Sequence, residues 1–434
     1  MLTPDWQTRP YWWEAAPPTA ADADLPTRAD VAIVGGGYCG IMAALALAQN
    51  GIDALVLEAN DPGYGASTRN HGHIGGIGKL PPRLERQVGT ERAAIILEDA
   101  VASWDYVRDL IHTEQLDVDF TQQGRFLGAH SPAAYDMLVR NAALQRQSLN
   151  LTITAVPREE QRREIGSDFY FGGTITDEAA SLQPAKLYRE MRRLAEREGA
   201  AIRGNARVNS IARVPGGFRL QTPRGEVRAD QVVVVTNGYT GPVTPALRRG
   251  LVPVTAYITA TEEMPAALVA ACLPTNRSGG DTKRSLYAFR RSPDGRRIVF
   301  AARAKWHDGD EREAAIVLHQ HMCRVWPALR EVRLSHTWKG QIAFTFNHIP
   351  HMGSDDGLHY VAGCNGSGVT RMSYLGRQIG LKIAGKQNRP CGFEGLPMAT
   401  VPGYAGTPWF VPMVGRYYEL RDRLDRTLTF RRNE

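Results

Sequence analysis

Apolar positions in this chain come first in short unbroken runs and later in alternation. The run inside DVAIVGGG ends in glycines. From about Cys39 to Asn50 small and apolar residues then occupy nearly every face, and ALVLEA gives a second short run. A short apolar run ending in glycine reads as a buried strand, and the longer one as a helix that Gly51 stops. Strand, helix and strand within about thirty residues imply a parallel sheet, because the crossover brings the chain back in the same direction.

Further along, Arg83 to about Arg163 reads as mostly helical with charged faces, and SLQPAKLYREMRRLAEREGA as an amphipathic helix that ends near Gly199. AIRGNARVNSIARV, GFRLQT and GEVRAD read as short strands, and QVVVVTNG as a buried one. From Pro245 to about Thr337 the pattern alternates and carries hairpin turns such as SPDG, which predicts an antiparallel sheet. One helix interrupts it between about Asp310 and Trp326. A strand (HYVAG), a glycine turn (CNGSG) and a helix (VTRMSYLGRQIGLKIAG) follow, then a Pro/Gly-rich and finally basic tail.

Composition narrows the function classes. At 434 residues the chain exceeds one ordinary core. With 43% hydrophobic and 22% charged residues it is ordinary for a globular protein. The net charge of +7 reads as a solvated basic surface or as steering of an anionic substrate. No helix-turn-helix, zinc-finger or aromatic-plus-basic motif points to nucleic acid. Five cysteines, none in a C-x-x-C pair, argue against a disulfide framework or a zinc site, so no metal is expected. A reducing, cytoplasmic setting is expected, because neither a secretory leader nor a long apolar span is seen.

The strongest chemical signal is Gly35-x-Gly37-x-x-Gly40, which follows a strand, opens a helix and is trailed by Glu58 at the end of the next strand. Gly35 allows the tight turn, Gly37 lets backbone approach a pyrophosphate, and Gly40 permits close helix–strand packing. Glu58 can accept from ribose hydroxyls. This unit alone does not separate FAD from NAD.

The motifs YWWEAAP, GYGASTRNHG, VTNGY, PVTAYITATEE, WKG, NHIPHMG and GCNGSGV together resemble the D-amino-acid-oxidase-like (DAO) family of FAD oxidoreductases, in the branch that includes gamma-glutamylputrescine oxidase. The resemblance runs over nearly the whole chain. It implies an α/β architecture like that of glutathione reductase: a Rossmann-type FAD-binding domain with a discontinuous, antiparallel-sheet substrate domain. The expected segments are a lead-in at 1–29 lying on the surface through Tyr11, Trp12 and Trp13; FAD-binding segments at 30–84, 175–244 and 338–390; substrate segments at 85–174 and 245–337; and a tail at 391–434. It further implies that Ser67, Thr68, Arg69, His71 and Gly72 lie beside the flavin, that Val208 meets the adenine, and that Gly238 closes the pyrophosphate side. Gly366, Ser367, Gly368 and Val369 would bring N–H groups to the flavin's pyrimidine edge, where charge gathers on reduction.

Two departures matter. Amino-acid oxidases of the family resemble one another in W-x-G-x-R, whose arginine forks onto the substrate carboxylate. Here Ile342 holds that place. Lys339 is a substitute only if it points the right way, and alternation sends neighbouring strand positions to opposite faces. The ring-side loop also carries His71 and His73. These are expected as pocket contacts, with a covalent flavin link through His71 as the alternative to non-covalent FAD. Tyr257, with plain sheet packing as the alternative, and His348 with His351, with a structural role as theirs, are further pocket candidates. Arg290 and Arg303 flank the SPDG hairpin as a solvated face or as an anion attractor. The expected reaction is oxidation of the C–N bond of a small amine, with oxygen as acceptor and hydrogen peroxide as product. Another electron acceptor, a 2-hydroxy-acid substrate and a non-catalytic flavin binder are the alternatives.

Overall fold

The structure, a computed structural model, describes residues 1–75, 80, 84–149 and 151–430. The first apolar runs form the centre of an eight-stranded sheet. Arg28–Val34 pairs in parallel with Ala54–Leu57 on one side and with Gly225–Val234 on the other. Ala201–Arg203 and Leu358–Ala362 add in parallel further out, and the hairpin Ser210–Val214/Gly217–Thr222 extends one edge. The apolar helix Tyr38–Ala48 is buried from Tyr38 through Leu47 because it has neighbours all round. The sheet covers one side, and helix Gly368–Ile383 lies against another with only glycine between the backbones. A Cβ on Gly376 would sit 2.2 Å from the Cys39 carbonyl, and one on Gly380 2.8 Å from that of Ala43.

The alternating segments form the second, nine-stranded sheet. Leu251–Thr261 is its spine, antiparallel to Leu334–Thr345 along its length and to Ile298–Ala302 on the other side. Tyr287–Arg291 and Ser278–Asp281 continue it. Its outer face packs on helix Glu311–Val325, which Asp310 caps by accepting from the N–H groups of Arg312 and Glu313.

Three expectations are corrected here. The lead-in is not a surface strap: Leu2–Gln7 is an edge strand beside Leu334–Thr345, and Trp12 is 1% exposed in a cluster with Ile258, Val299 and Trp338. The stretch read as helical from Arg83 holds helices Thr90–Thr113 and Pro132–Leu149 but also strands Arg125–Gly128 and Ile153–Val156, too short to register against the helical rhythm around them. The boundary expected at 338 cuts a strand, since Leu334–Thr345 stays in the larger sheet throughout. The basic tail ends in helix Val411–Phe430, anchored where buried Asp422 accepts from the N–H groups of Arg284 and Ser285. Among the described residues no helix is long and apolar enough to cross a membrane.

Burial sets how stability answers to pH. It pushes the imidazoles of His336 and His359 down to about 4 and those of His71 and His321 down to about 3. An unfolded imidazole protonates near 6.5, so between about 3 and 6.5 the unfolded chain binds more protons and stability falls as pH falls. Asp281, pushed up to about 6 by burial, and Glu58 and Asp53, also raised by burial, act in the opposite sense, but burial lowers the imidazoles of His73, His130 and His351 as well, so the imidazoles outnumber the carboxyls. The apoprotein is therefore expected to lose thermal stability steadily from about pH 6.5 to 4.5. A melting temperature that is flat or rises on acidification would contradict this. Trp12→Ala, which empties a buried indole site, is expected to cost about 3–5 kcal/mol in denaturant unfolding.

Candidate functional site

Between the two sheets lies a cavity of about 960 Å³. Its nucleotide-like end is built by the glycine turn. Gly35 has φ +110°, and a side chain there would press on the Val235 carbonyl at 3.1 Å. A Cβ on Gly40 would fall 2.0 Å from the Gly35 carbonyl, so the helix reaches the turn only because residue 40 is glycine. Glu58 accepts from the N–H groups of Gly36 (2.8 Å) and Asn60 (3.1 Å). Its burial raises the carboxyl's pKa, and those N–H groups oppose the rise. Ser67 accepts from the Tyr38 N–H at 2.9 Å.

Two helices begin at this cavity without a side-chain cap, Tyr38–Ala48 after Gly37 and Gly368–Ile383 after Ser367. Their first turns therefore present N–H groups and positive dipole ends to one space. The turn before the second helix is held by Asn237, whose side-chain oxygen accepts from the N–H groups of Gly363 (3.0 Å) and Cys364 (3.3 Å). A Cβ on Gly37 would approach the Ser67 hydroxyl at 3.0 Å, so this cradle is open only to bare backbone. An acid at one end, two uncapped helix starts and a long cavity between them fit a dinucleotide.

The segment from Thr68 to Gly72 forms the middle of the wall and is held by indoles. Trp12 donates to the Asn70 carbonyl (2.8 Å), Trp338 to the Arg69 carbonyl (2.8 Å) and Trp13 to the Thr68 hydroxyl (2.9 Å). Arg69 lies 4.6 Å from the ring centroids of both Trp13 and Tyr64 and donates to the carbonyls of Tyr64 and Lys339. Gly72 has φ +71°, and a Cβ there would meet the Leu182 carbonyl at 2.1 Å. Arg290 is 4% exposed, not a solvated surface group. It donates to the carbonyls of Leu182 (2.6 Å) and Gly72 (3.1 Å) and so ties the histidine loop to its neighbour.

Both loop histidines line the cavity. His71 Nε2 is 3.3 Å from the Val299 carbonyl, and its enclosed Nδ1 has no protein partner among the described residues. His73 Nδ1 is 2.8 Å from the Ser278 hydroxyl. Burial, then the cationic side chains of Arg290 and Arg125, keep both imidazoles neutral.

The structure places the other candidates unevenly. Val208, Gly366, Ser367, Gly368 and Val369 line the cavity, as do Ser67 and Arg69. Thr68 does not; it is 1% exposed behind the wall, with its hydroxyl bound to the Gly63 carbonyl. Gly238 packs against Gln341, where a Cβ on the glycine would fall 3.0 Å from that of Gln341, while its neighbours Asn237 and Tyr239 reach the cavity. Tyr257 is at the cavity wall, yet parity turns its ring away from the centre. Its strand borders the cavity, but its ring shares the outer face with Ala302 and Trp326, and its hydroxyl accepts from the Gly309 N–H at 2.8 Å. Lys339 is on that same outer face, bound to Asp308 at 2.7 Å, whereas Ile342 lines the cavity. His348 (φ +57°) lies outside against Phe344, and His351 bridges Asn347 and the Leu396 carbonyl.

Sequence reasoning missed Arg125 and Asp281, which line the cavity, and Asn237. The Arg-x-Leu alternation at 125–127 was the available signal, but it lies within a stretch whose overall rhythm is helical. Among the described residues no group of His, Cys, Asp or Glu is placed to hold a metal ion.

Comparison with known proteins agrees with this geometry. The family model of FAD-dependent oxidoreductases called DAO matches residues 30–380. Gamma-glutamylputrescine oxidoreductase of Escherichia coli (strain K12) is 30% identical over 414 residues, covering 91% of this chain and 93% of that protein. Glycine oxidase from Geobacillus kaustophilus superposes with TM-score 0.70 at 16% identity, over 87% of this chain and 99% of that one. Iminodiacetate oxidase from Chelativorans sp. BNC1 superposes with TM-score 0.68 at 18% identity, over 85% and 100%. The chain belongs to the DAO family of FAD-dependent oxidoreductases.

Proposed function

We propose that the protein oxidises a C–N bond of a small amine. A hydride leaves the α-carbon, water hydrolyses the resulting imine, and the electrons pass on to oxygen, giving hydrogen peroxide. In this reading the backbone of Gly35–Tyr38 holds the pyrophosphate of FAD, Glu58 the ribose, and Val208 the adenine. Ser67 and Arg69 lie along the cofactor, and the first turn after Ser367 stands at the flavin's pyrimidine edge. FAD, when bound, supplies the hydride acceptor. The second helix start would favour the negative charge that develops there.

The observation that carries the choice of amine is the weak basicity of His71 and His73. Oxidising an alcohol requires a base to take the hydroxyl proton as the hydride leaves. An imidazole pushed down to about 3, as at His71, is a poor base near neutral pH. A neutral amine needs none, because its own lone pair drives the hydride out. The imidazoles then act as polar contacts that orient the substrate in a space short of water. The compounds that the relatives are named for, an acylated diamine, glycine and iminodiacetate among them, support the same substrate class.

The test is anaerobic mixing of the holoprotein with amines, amino acids and 2-hydroxy acids while the flavin band near 450 nm is followed. Bleaching by an amine, and recovery with peroxide on admitting air, is the expected result. Bleaching by hydroxy acids alone would overturn the C–N assignment, and recovery only with a dye would replace oxygen by another acceptor. The reduction rate at low substrate should rise with pH toward the amine's own pKa of about 10, without an imidazole step near 6.5. FAD is expected to be held non-covalently. Acid precipitation should leave the yellow colour in the supernatant, and colour retained in the wild-type pellet but lost from a His71→Ala pellet would establish the covalent alternative.

A further inference from the structure

The inner face of the large sheet is the substrate side of the cavity, and strand register fixes what projects from it. Ala256 pairs with Gly340, and Tyr257 with Ala302, so Ala256 lies beside residue 303 on its other flank. Gly340, Ala256 and Arg303 thus form one row across three strands, about 10 Å from first to last. The first two present nothing longer than a methyl. Arg303 is the long side chain that the row sends into the cavity, which it lines.

Its guanidinium is held by rings. The Cζ atom is 5.2 Å from the centroid of Phe344 and 5.1 Å from that of Trp306. Trp306 is itself fixed, donating to Glu419 at 2.8 Å and packing against Gly415, where a Cβ would fall 2.0 Å from the indole. Rings fix the cation's plane but leave its N–H donors unused. Among the described residues no carboxylate or carbonyl accepts from Arg303. The acids that follow it in sequence are engaged elsewhere, Asp308 and Glu311 with Lys339 and Glu313 with Lys305. Arg125, the other arginine deep in this cavity, has the Asp281 carboxylate acting on it and stands near His71 and His73.

We infer that Arg303 anchors a carboxylate of the substrate, and that the substrate is an amine whose carboxylate lies several bonds from the reacting carbon, as in an ω-amino acid. This rests on the amine reading above. The spacing follows from the strand Leu334–Thr345. Arg69, on the segment assigned to the cofactor, touches it at Gly340; the anchor's head lies over Phe344, about 13 Å further along. Ile342 stands between the two and offers an anion nothing. A carboxylate next to the reacting carbon would face that isoleucine.

The holoenzyme and its Arg303→Met and Arg303→Lys variants are compared on glycine, 3-aminopropanoate, 4-aminobutanoate, 5-aminopentanoate and 6-aminohexanoate, with butylamine as the uncharged partner. The wild type should prefer the longer acids. Arg303→Met should lower kcat/KM on those acids by about 10- to 100-fold, mostly through KM, with a loss at least tenfold smaller on butylamine; Arg303→Lys should recover part of it. Glutarate titrated against the visible flavin spectrum should bind at least tenfold more weakly to Arg303→Met. Equal losses on acids and butylamine, a preference for glycine, or unchanged glutarate binding would overturn the assignment. If no amine reduces the flavin, the amine reading fails, and the glutarate titration still decides whether Arg303 binds a carboxylate.

Discussion

The structure depends on how the backbone from Ala66 to Gly72 satisfies its carbonyls. This segment hangs between two sheets and belongs to the ladder of neither at its centre, yet it is enclosed, so each carbonyl needs a donor from elsewhere. Asn70 turns its own amide back onto Ser67. Trp338 and Trp12 supply indole N–H groups to Arg69 and Asn70, and Arg290 with the Leu182 N–H supplies Gly72. The donors come from four distant parts of the chain, so the segment takes its course only once both sheets and the lead-in are in place. Because it also carries Ser67 and His71 and leads into His73, the sides proposed for cofactor and substrate would be positioned by one set of bonds.

This accounts for what could be read from the sequence. The glycine turn, its helix and the parallel strands follow from local rules, since a Cβ at residue 35 or 40 has no room and every face of the helix is covered. The tryptophans beside the motifs were visible as composition but not as function, because an indole's partner is a single carbonyl far away in sequence. The lead-in was therefore misread as a surface strap. Tyr257 shows the opposite limit. The alternation argument that excluded Lys339 applies equally to its register partner, and carried across the strand pair it places both on the outer face. His348 failed for another reason: its φ of +57° places it in a turn whose direction neighbouring residues do not reveal.

Arg125 was hidden by averaging. A four-residue strand inside the mostly helical stretch from Arg83 to Arg163 leaves no periodic trace, although its inward positions are the ones that meet the cavity. Arg303 was visible, but whether an arginine on a hairpin is solvated or enclosed depends on what covers the hairpin. Here the cover is Trp306 and the C-terminal helix, from the far end of the chain.

The electrostatics of the cavity follow from the same packing. Burying an imidazole among arginines keeps it neutral, and burying an arginine without a carboxylate leaves a charge that only solvent, rings or a ligand can compensate. The fold contains both conditions within one space: neutral imidazoles near the cofactor segment and a ring-held cation further along the sheet. A substrate of the proposed kind would carry its negative charge away from the bond that reacts. Near that bond it meets groups that neither take nor give a proton at neutral pH. The lone pair of a neutral amine is suited to such surroundings, and the ordinary carboxylate clamp of an α-amino acid is not.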